Sequence, residues 1–229
     1  VSVGMHPHVE ACFGLIPGDA SAYFLEHTKG SSLTSWVRSG QSSLRSILSI
    51  LTQICHGVEY LHTHGIAHDE LLPDSIIITG SSLAKIKEVV RPVVPGQRQS
   101  QQDDIRALGD LLRMMLFAGF VPGQSDGNIS DLLLPDHLQS YTSFLRPVLG
   151  KCLQPSARGY PDVSSLRHDL NRVYRLVFGL DCPYHVLEID LRAESLNNLA
   201  VGCFAIGRYR DGFIKLQQAL HKQDRLPEA

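Results

Sequence analysis

The chain has 229 residues, 43% of them apolar, which excludes a wholly disordered or fibrous polymer and suffices for one or two domains. Its 21 Lys and Arg face 23 Asp and Glu, a formal charge of −2, which argues against a broad nucleic-acid surface. No apolar run reaches roughly 18 residues, so no membrane-spanning helix is expected.

Val1 opens the chain with neither Met nor an apolar leader, and the start reads as an interior cut of a longer protein. The five cysteines Cys12, Cys55, Cys152, Cys182 and Cys203 contain no CxxC pair. An odd, widely spaced set fits reduced, partly buried thiols in a cytoplasmic protein, with one disulfide left open as the alternative.

Residues 6–27 read as a strand hairpin broken at Pro17-Gly18-Asp19. Lys29 to Ser32 is a turn, and Leu33 and Trp36 begin a short helix. The strongest periodicity comes next. Leu44, Ile47, Leu48, Leu51, Ile54, Val58 and Leu61 recur at steps of three and four and predict a helix from Ser43 to His62, stopped at Gly65. Ile76 to Thr79 and Leu83 to Val90 predict two strands, with a loop over 91–102. A second helix is expected from Asp104 to Leu116 or Ala118. Others are expected over Ser140–Leu153 and from an Asp162 cap to Val177. After a boundary at Asp181-Cys182-Pro183, two more are expected over Glu194–Ile206 and Tyr209–Lys222.

The segment from His64 to Ile78 resembles the catalytic loop of the eukaryotic protein kinases. His68 and Pro73 match that loop. Glu70 stands for its catalytic Asp, Asp69 for its Arg, Leu72 for its Lys and Ser75 for its metal-binding Asn. Glu88-Val89-Val90, 18 residues after Glu70, fills the place of the Asp-Phe-Gly metal loop. Leu25-Glu26-His27 resembles the hinge between lobes. Asp104 resembles the Asp that braces the catalytic loop from below. Cys152 to Pro155 with Arg158 and Pro161 resembles the late Arg-containing loop. The resemblance implies an α+β, mostly helical fold: a kinase-like C-terminal lobe with a remnant hinge hairpin.

It also implies which chemistry is damaged. Phosphoryl transfer needs metal contacts, charge compensation and a placed proton acceptor. Glu70 carries an extra methylene, which moves its oxygen by ~1 Å, enough to cost ~10²-fold. Leu72 neutralises no phosphate charge. Ser75 is a weaker Mg²⁺ ligand than an amide or carboxylate. Glu88 changes the second metal position, and Val90 lacks the freedom of a Gly. Asp69 would repel an activation-loop phosphate. Only 16 residues separate Glu88 from Asp104, with no Ala-Pro-Glu element, so the usual partner of Arg158 is missing. No glycine-rich phosphate loop occurs. No cofactor is expected in these residues, while ATP and Mg²⁺ stay open for a longer parent.

Plainer readings stand beside these. His68 packs under the loop, and Glu70 and Glu88 are solvated carboxylates. Asp104 is a helix N-cap as well as a brace, and Lys85 and Lys87 form a solvated face. His62, His64 and His68 lack metal-ligand spacing.

Residues 193–227 resemble a tetratricopeptide repeat, the match spanning about 34 residues. Ala200, Gly207 and Gly212 would let two helices approach, while Leu199, Phe204, Leu216 and Leu220 fill between them. Leu226 to Ala229 resembles the opening of a further copy. The expected plan is a kinase-like domain over 1–180 and a helical hairpin over 181–229. That order resembles the plant brassinosteroid-signalling kinases. The expected function is a catalytically impaired pseudokinase serving as an intracellular scaffold, with protein partners on the hairpin and no nucleic acid. An atypical Mg-ATP-dependent protein serine/threonine kinase using Glu70 and Glu88, or a purely structural module, are the alternatives.

Overall fold

A computed structural model describes residues 6–16, 22–40, 42–87, 101–117, 134–154, 158–183, 193–205 and 207–222. Internal contacts divide the chain into two units, one of residues 29–185 and one combining 1–28 with 186–229.

In the larger unit, Ser31–Ser32 (β3) leads into the short helix Leu33–Arg38 (α1). The helix Leu44–Thr63 (α2) comes next, and β3 pairs antiparallel with Ile76–Ile78 (β4). β4 pairs in turn with Ala84–Ile86 (β5) in register Ile76↔Ile86 and Ile78↔Ala84. Among the described residues the unit also contains the helices Gln101–Leu116 (α3), Thr142–Leu153 (α4) and Val163–Phe178 (α5).

The helix ends obey local chemistry. Ser43 caps α2 through a reciprocal pair with Ser46, and Asp162 caps α5 through the Ser165 amide at 2.7 Å. Gly65 and Gly179 end these helices at φ 74° and 70°, a conformation that costs a glycine nothing. The predicted stripe of α2 is the centre of the core. Ile47, Leu48, Leu51, Ile54, Val58 and Leu61 are all buried, and α2 packs on α3, α5 and β5. Burying these six side chains contributes roughly 10 kcal/mol gross, most of it offset by ordering entropy.

Two expectations change here. The loop over 91–102 lies outside the described residues up to Ser100, and its last two residues are helical: α3 starts at Gln101, not Asp104. Asp104 is therefore inside the helix and is not its N-cap. Gln101 and Gln102 are good helix formers, and Asp103 suits the positive end of the helix dipole, so the first turn forms without an apolar stripe. The predicted helix over Ser140–Leu153 is a 3₁₀ turn, Asp136–Tyr141, followed by α4.

In the smaller unit, Cys12–Ile16 (β1) and Ala22–Leu25 (β2) form the expected antiparallel hairpin, with an irregular register between Cys12 and Gly14. Ala193–Ala205 (α6) and Tyr209–Lys222 (α7) form a helical pair, and α6 also contacts β1. Leu196, Ala200, Cys203 and Ala219 are buried. A Cβ at Gly212 would run into the Phe204 ring, so that glycine serves close approach. Gly207 does not. It meets no neighbour and supplies φ 76° at the turn. Leu220 is 44% exposed and fills nothing between the helices, because Ala219 takes the inward position. The side chain of Leu199 lies outside the described residues.

Candidate functional site

The last turn of α2 closes on itself before the loop begins. The amide of Gly65 bonds the His62 carbonyl and that of Ile66 bonds the Leu61 carbonyl, each at 3.0 Å. The chain then runs through Ala67 and His68, both buried, to the exposed Glu70. A 3₁₀ turn, Pro73–Ser75, feeds β4.

Asp104 holds this loop. It is 1% exposed and lies in the first half of α3. Its Oδ2 accepts the His68 amide at 2.8 Å and its Oδ1 the Asp69 amide at 3.0 Å. The His62 ring donates from Nε2 to Oδ2 at 2.7 Å. One buried carboxylate thus joins the end of α2, the loop and α3. Hydrogen bonds to an ionised acceptor are roughly twice as strong as neutral ones. They hold Asp69 at φ 64°, a region that costs a non-glycine residue about 1–2 kcal/mol.

His68 ties the loop to the strand. Its Nε2 lies 2.8 Å from the Lys87 carbonyl. A carbonyl only accepts, so Nε2 carries the ring proton. The packing expected of His68 is present. Lys85 and Lys87 are half-buried, not a fully solvated face.

The reactive positions of the resemblance differ in exposure. Glu70 is exposed, and its carbonyl accepts the Leu72 amide at 2.8 Å. Leu71 turns inward and Leu72 outward, with Leu72 55% exposed. Ser75 is buried, and its hydroxyl donates to the Leu72 carbonyl at 2.7 Å. Glu88, Val89 and Val90 lie outside the described residues. From Ser46 to Ala84 the sequence has no Lys or Arg, while Asp69, Glu70 and Asp74 place three carboxylates on the loop.

The remaining candidates belong to other parts of the fold. Leu25, Glu26 and His27 are in the smaller unit, where the Glu26 amide bonds the Ala11 carbonyl at 2.8 Å. Arg158 is exposed and forms no ion pair among the described residues. His62 has no metal-ligand spacing, yet it completes the Asp104 cluster, a role that sequence pattern alone did not assign. A signal exists in the sequence. His62 is four residues beyond Val58 and continues the apolar stripe of α2, where a polar residue needs a buried partner.

A second cluster is chemically quiet. Cys55, Cys152 and Cys182 are buried, and all five cysteines are free. Burial pushes the Cys55 thiol well above its ordinary value and the Cys152 thiol up to about 12. Such thiols are poor nucleophiles near neutrality. Among the described residues no three His, Cys, Asp or Glu gather as a metal site.

Comparison with known proteins agrees with the loop. Residues 2–92 match the family model described as protein tyrosine and serine/threonine kinase. The serine/threonine-protein kinase PknD of Chlamydia abortus is 26% identical over 233 residues, covering 73% of this chain and 25% of that protein. PknD of Chlamydia caviae is 27% identical over 140 residues, covering 53% of this chain and 15% of its own length. CBL-interacting protein kinase 26 of Oryza sativa subsp. japonica is 25% identical over 84 residues, covering 36% and 17%. The chain therefore spans a quarter or less of these relatives. The matches support a protein-kinase relationship at low identity.

Proposed function

We propose that this chain is a catalytically impaired, kinase-like interaction module, a pseudokinase whose helical pair α6–α7 is a tetratricopeptide-type repeat that contacts protein partners. The observation that carries this reading is the contrast within one loop. The scaffold of Asp104, His62 and His68 is complete, while the surface it presents has lost its means of handling phosphate. Leu72 stands exposed where the resemblance places a Lys. Three carboxylates share the loop with it, and no Lys or Arg does. A triphosphate approaching such a surface meets repulsion where transfer needs positive charge.

The α6–α7 pair supports the second half. It keeps small residues at its crossing (Ala200, Gly212 and Ala219, all buried), and an edge-to-face pair of Phe204 and Phe213 with ring centres 5.2 Å apart. Tyr209, Phe213 and Leu220 remain exposed on α7. One hairpin of this kind does not bury its apolar face alone.

The two halves separate experimentally. Binding partners recovered with the full natural chain are expected to survive Glu70→Gln and to be lost on deleting residues 183–229. Partners that depend on Glu70, or that ignore the deletion, would contradict the interaction role.

A further inference from the structure

Under the kinase-like reading of the loop, on which this assignment rests, Ser75 stands where the resemblance puts a divalent-ion ligand. The residues present do not fit that ion. Mg²⁺ demands near-octahedral oxygen ligands and keeps several of its waters, so it engages reachable carboxylates or carbonyls. Ser75 is 3% exposed, which leaves a hydrated ion no approach.

Its polar groups are also committed. The hydroxyl donates to the Leu72 carbonyl at 2.7 Å, and the Ser75 amide reaches the same oxygen at 3.0 Å. Both lone pairs of that carbonyl are thereby used. The Ser75 carbonyl accepts the Lys87 amide at 2.7 Å, from the residue whose own carbonyl takes the His68 ring. A three-residue 3₁₀ turn has poor intrinsic hydrogen-bond geometry, and the hydroxyl adds a second bond across it.

We infer that Ser75 is a latch, not a ligand. It closes the 72–75 turn with a bond made inside the chain and fastens that turn to the end of β5 through Lys87. The loop then keeps its shape without a divalent cation.

The test is amide NMR on the full chain, titrated with Mg²⁺ and with paramagnetic Mn²⁺. The amides of residues 70–78 should show no saturable shift or broadening with either ion. In Ser75→Ala, hydrogen exchange at the Ser75 and Lys87 amides should quicken about fivefold or more, the factor for one lost hydrogen bond. Ser75→Thr, which keeps the hydroxyl, should retain protection. Saturable Mn²⁺ broadening centred on residues 70–78 and lost in Ser75→Ala would overturn the latch, as would unchanged exchange in that variant. Should Ser75→Ala fail to fold, the titration of the unaltered chain still decides. Ion binding at Ser75 without phosphoryl transfer would sink the latch and leave the proposed function standing. Transfer without ion binding there would do the reverse.

Discussion

Asp104 gathers three donors on one buried carboxylate, and no substitution keeps all of them. Asp104→Ala strands the His68 and Asp69 amides and the His62 ring away from water. Leaving buried donors without an acceptor costs about 1–3 kcal/mol each, so urea unfolding should show a loss of ~3 kcal/mol or more. Asp104→Asn retains one acceptor oxygen and should lose less. Leu72 is the contrasting residue. It is largely exposed, so Leu72→Lys should change stability by less than ~0.5 kcal/mol in the same assay. The brace role of Asp104 was legible because the loop resemblance fixes which helix lies beneath it. Its place inside α3 was not, since an Asp before a periodic apolar run looks the same at a cap as one turn further in. The burial of Ser75 was illegible for another reason. Serine is equally at home in a solvated turn, and only the turn geometry of residues 72–75 decides where its hydroxyl points.

Between helices, packing distance is the quantity that sequence pattern reads least well. α3 and α4 meet where Gly109 faces the backbone-fixed Cβ of Cys152, and an added Cβ would collide with it. Gly109→Ala gains ~1 kcal/mol of helix propensity but overpacks a contact that cannot give by a rotamer change, at about 1–3 kcal/mol. Denaturant unfolding should show a net loss, and a more stable Gly109→Ala protein would mean that the two helices are further apart. The helices themselves were legible. α2 announces itself by its stripe, and its Gly65 stop and the Asp162 cap of α5 are local chemistry. β3 is not legible in the sequence, because two residues carry no period and only their pairing with Ile77 and Ile78 makes them a strand. The outward place of Leu220 is not legible either, because apolar type alone does not distinguish the inward position of Ala219 from its neighbour.

Across the chain, the ionisable groups set opposite limits on stability. Burial raises the carboxyl of Glu59, but the hydrogen bond and charge of Arg167, at 2.8 Å, outweigh it and hold Glu59 below its ordinary range. Asp169 is likewise raised by burial and brought lower by Lys151 and Tyr160, while the Ser165 amide lowers Asp162. Depressed carboxylates contribute stability above their unfolded values near ~4, and that stability is lost as pH falls through their folded values. The thiols act at the other end. Cys55, Cys152 and Cys182 are raised, so their contribution is complete below about 8.5, the unfolded thiol value, and declines as pH rises above it. Unfolding free energy should therefore plateau between these limits. At pH 8 a thiol reagent should leave these three cysteines unlabelled until denaturant is added, and prompt native labelling would show that they are not in the core. The proposed function holds that a kinase-like scaffold survives here around a surface unable to move a phosphoryl group. The decisive assay is radiolabel transfer from γ-labelled ATP with Mg²⁺ to protein substrates, using the protein at its full natural length beside Glu70→Gln. Equal, background incorporation from both is expected, and robust incorporation abolished by Glu70→Gln would contradict it.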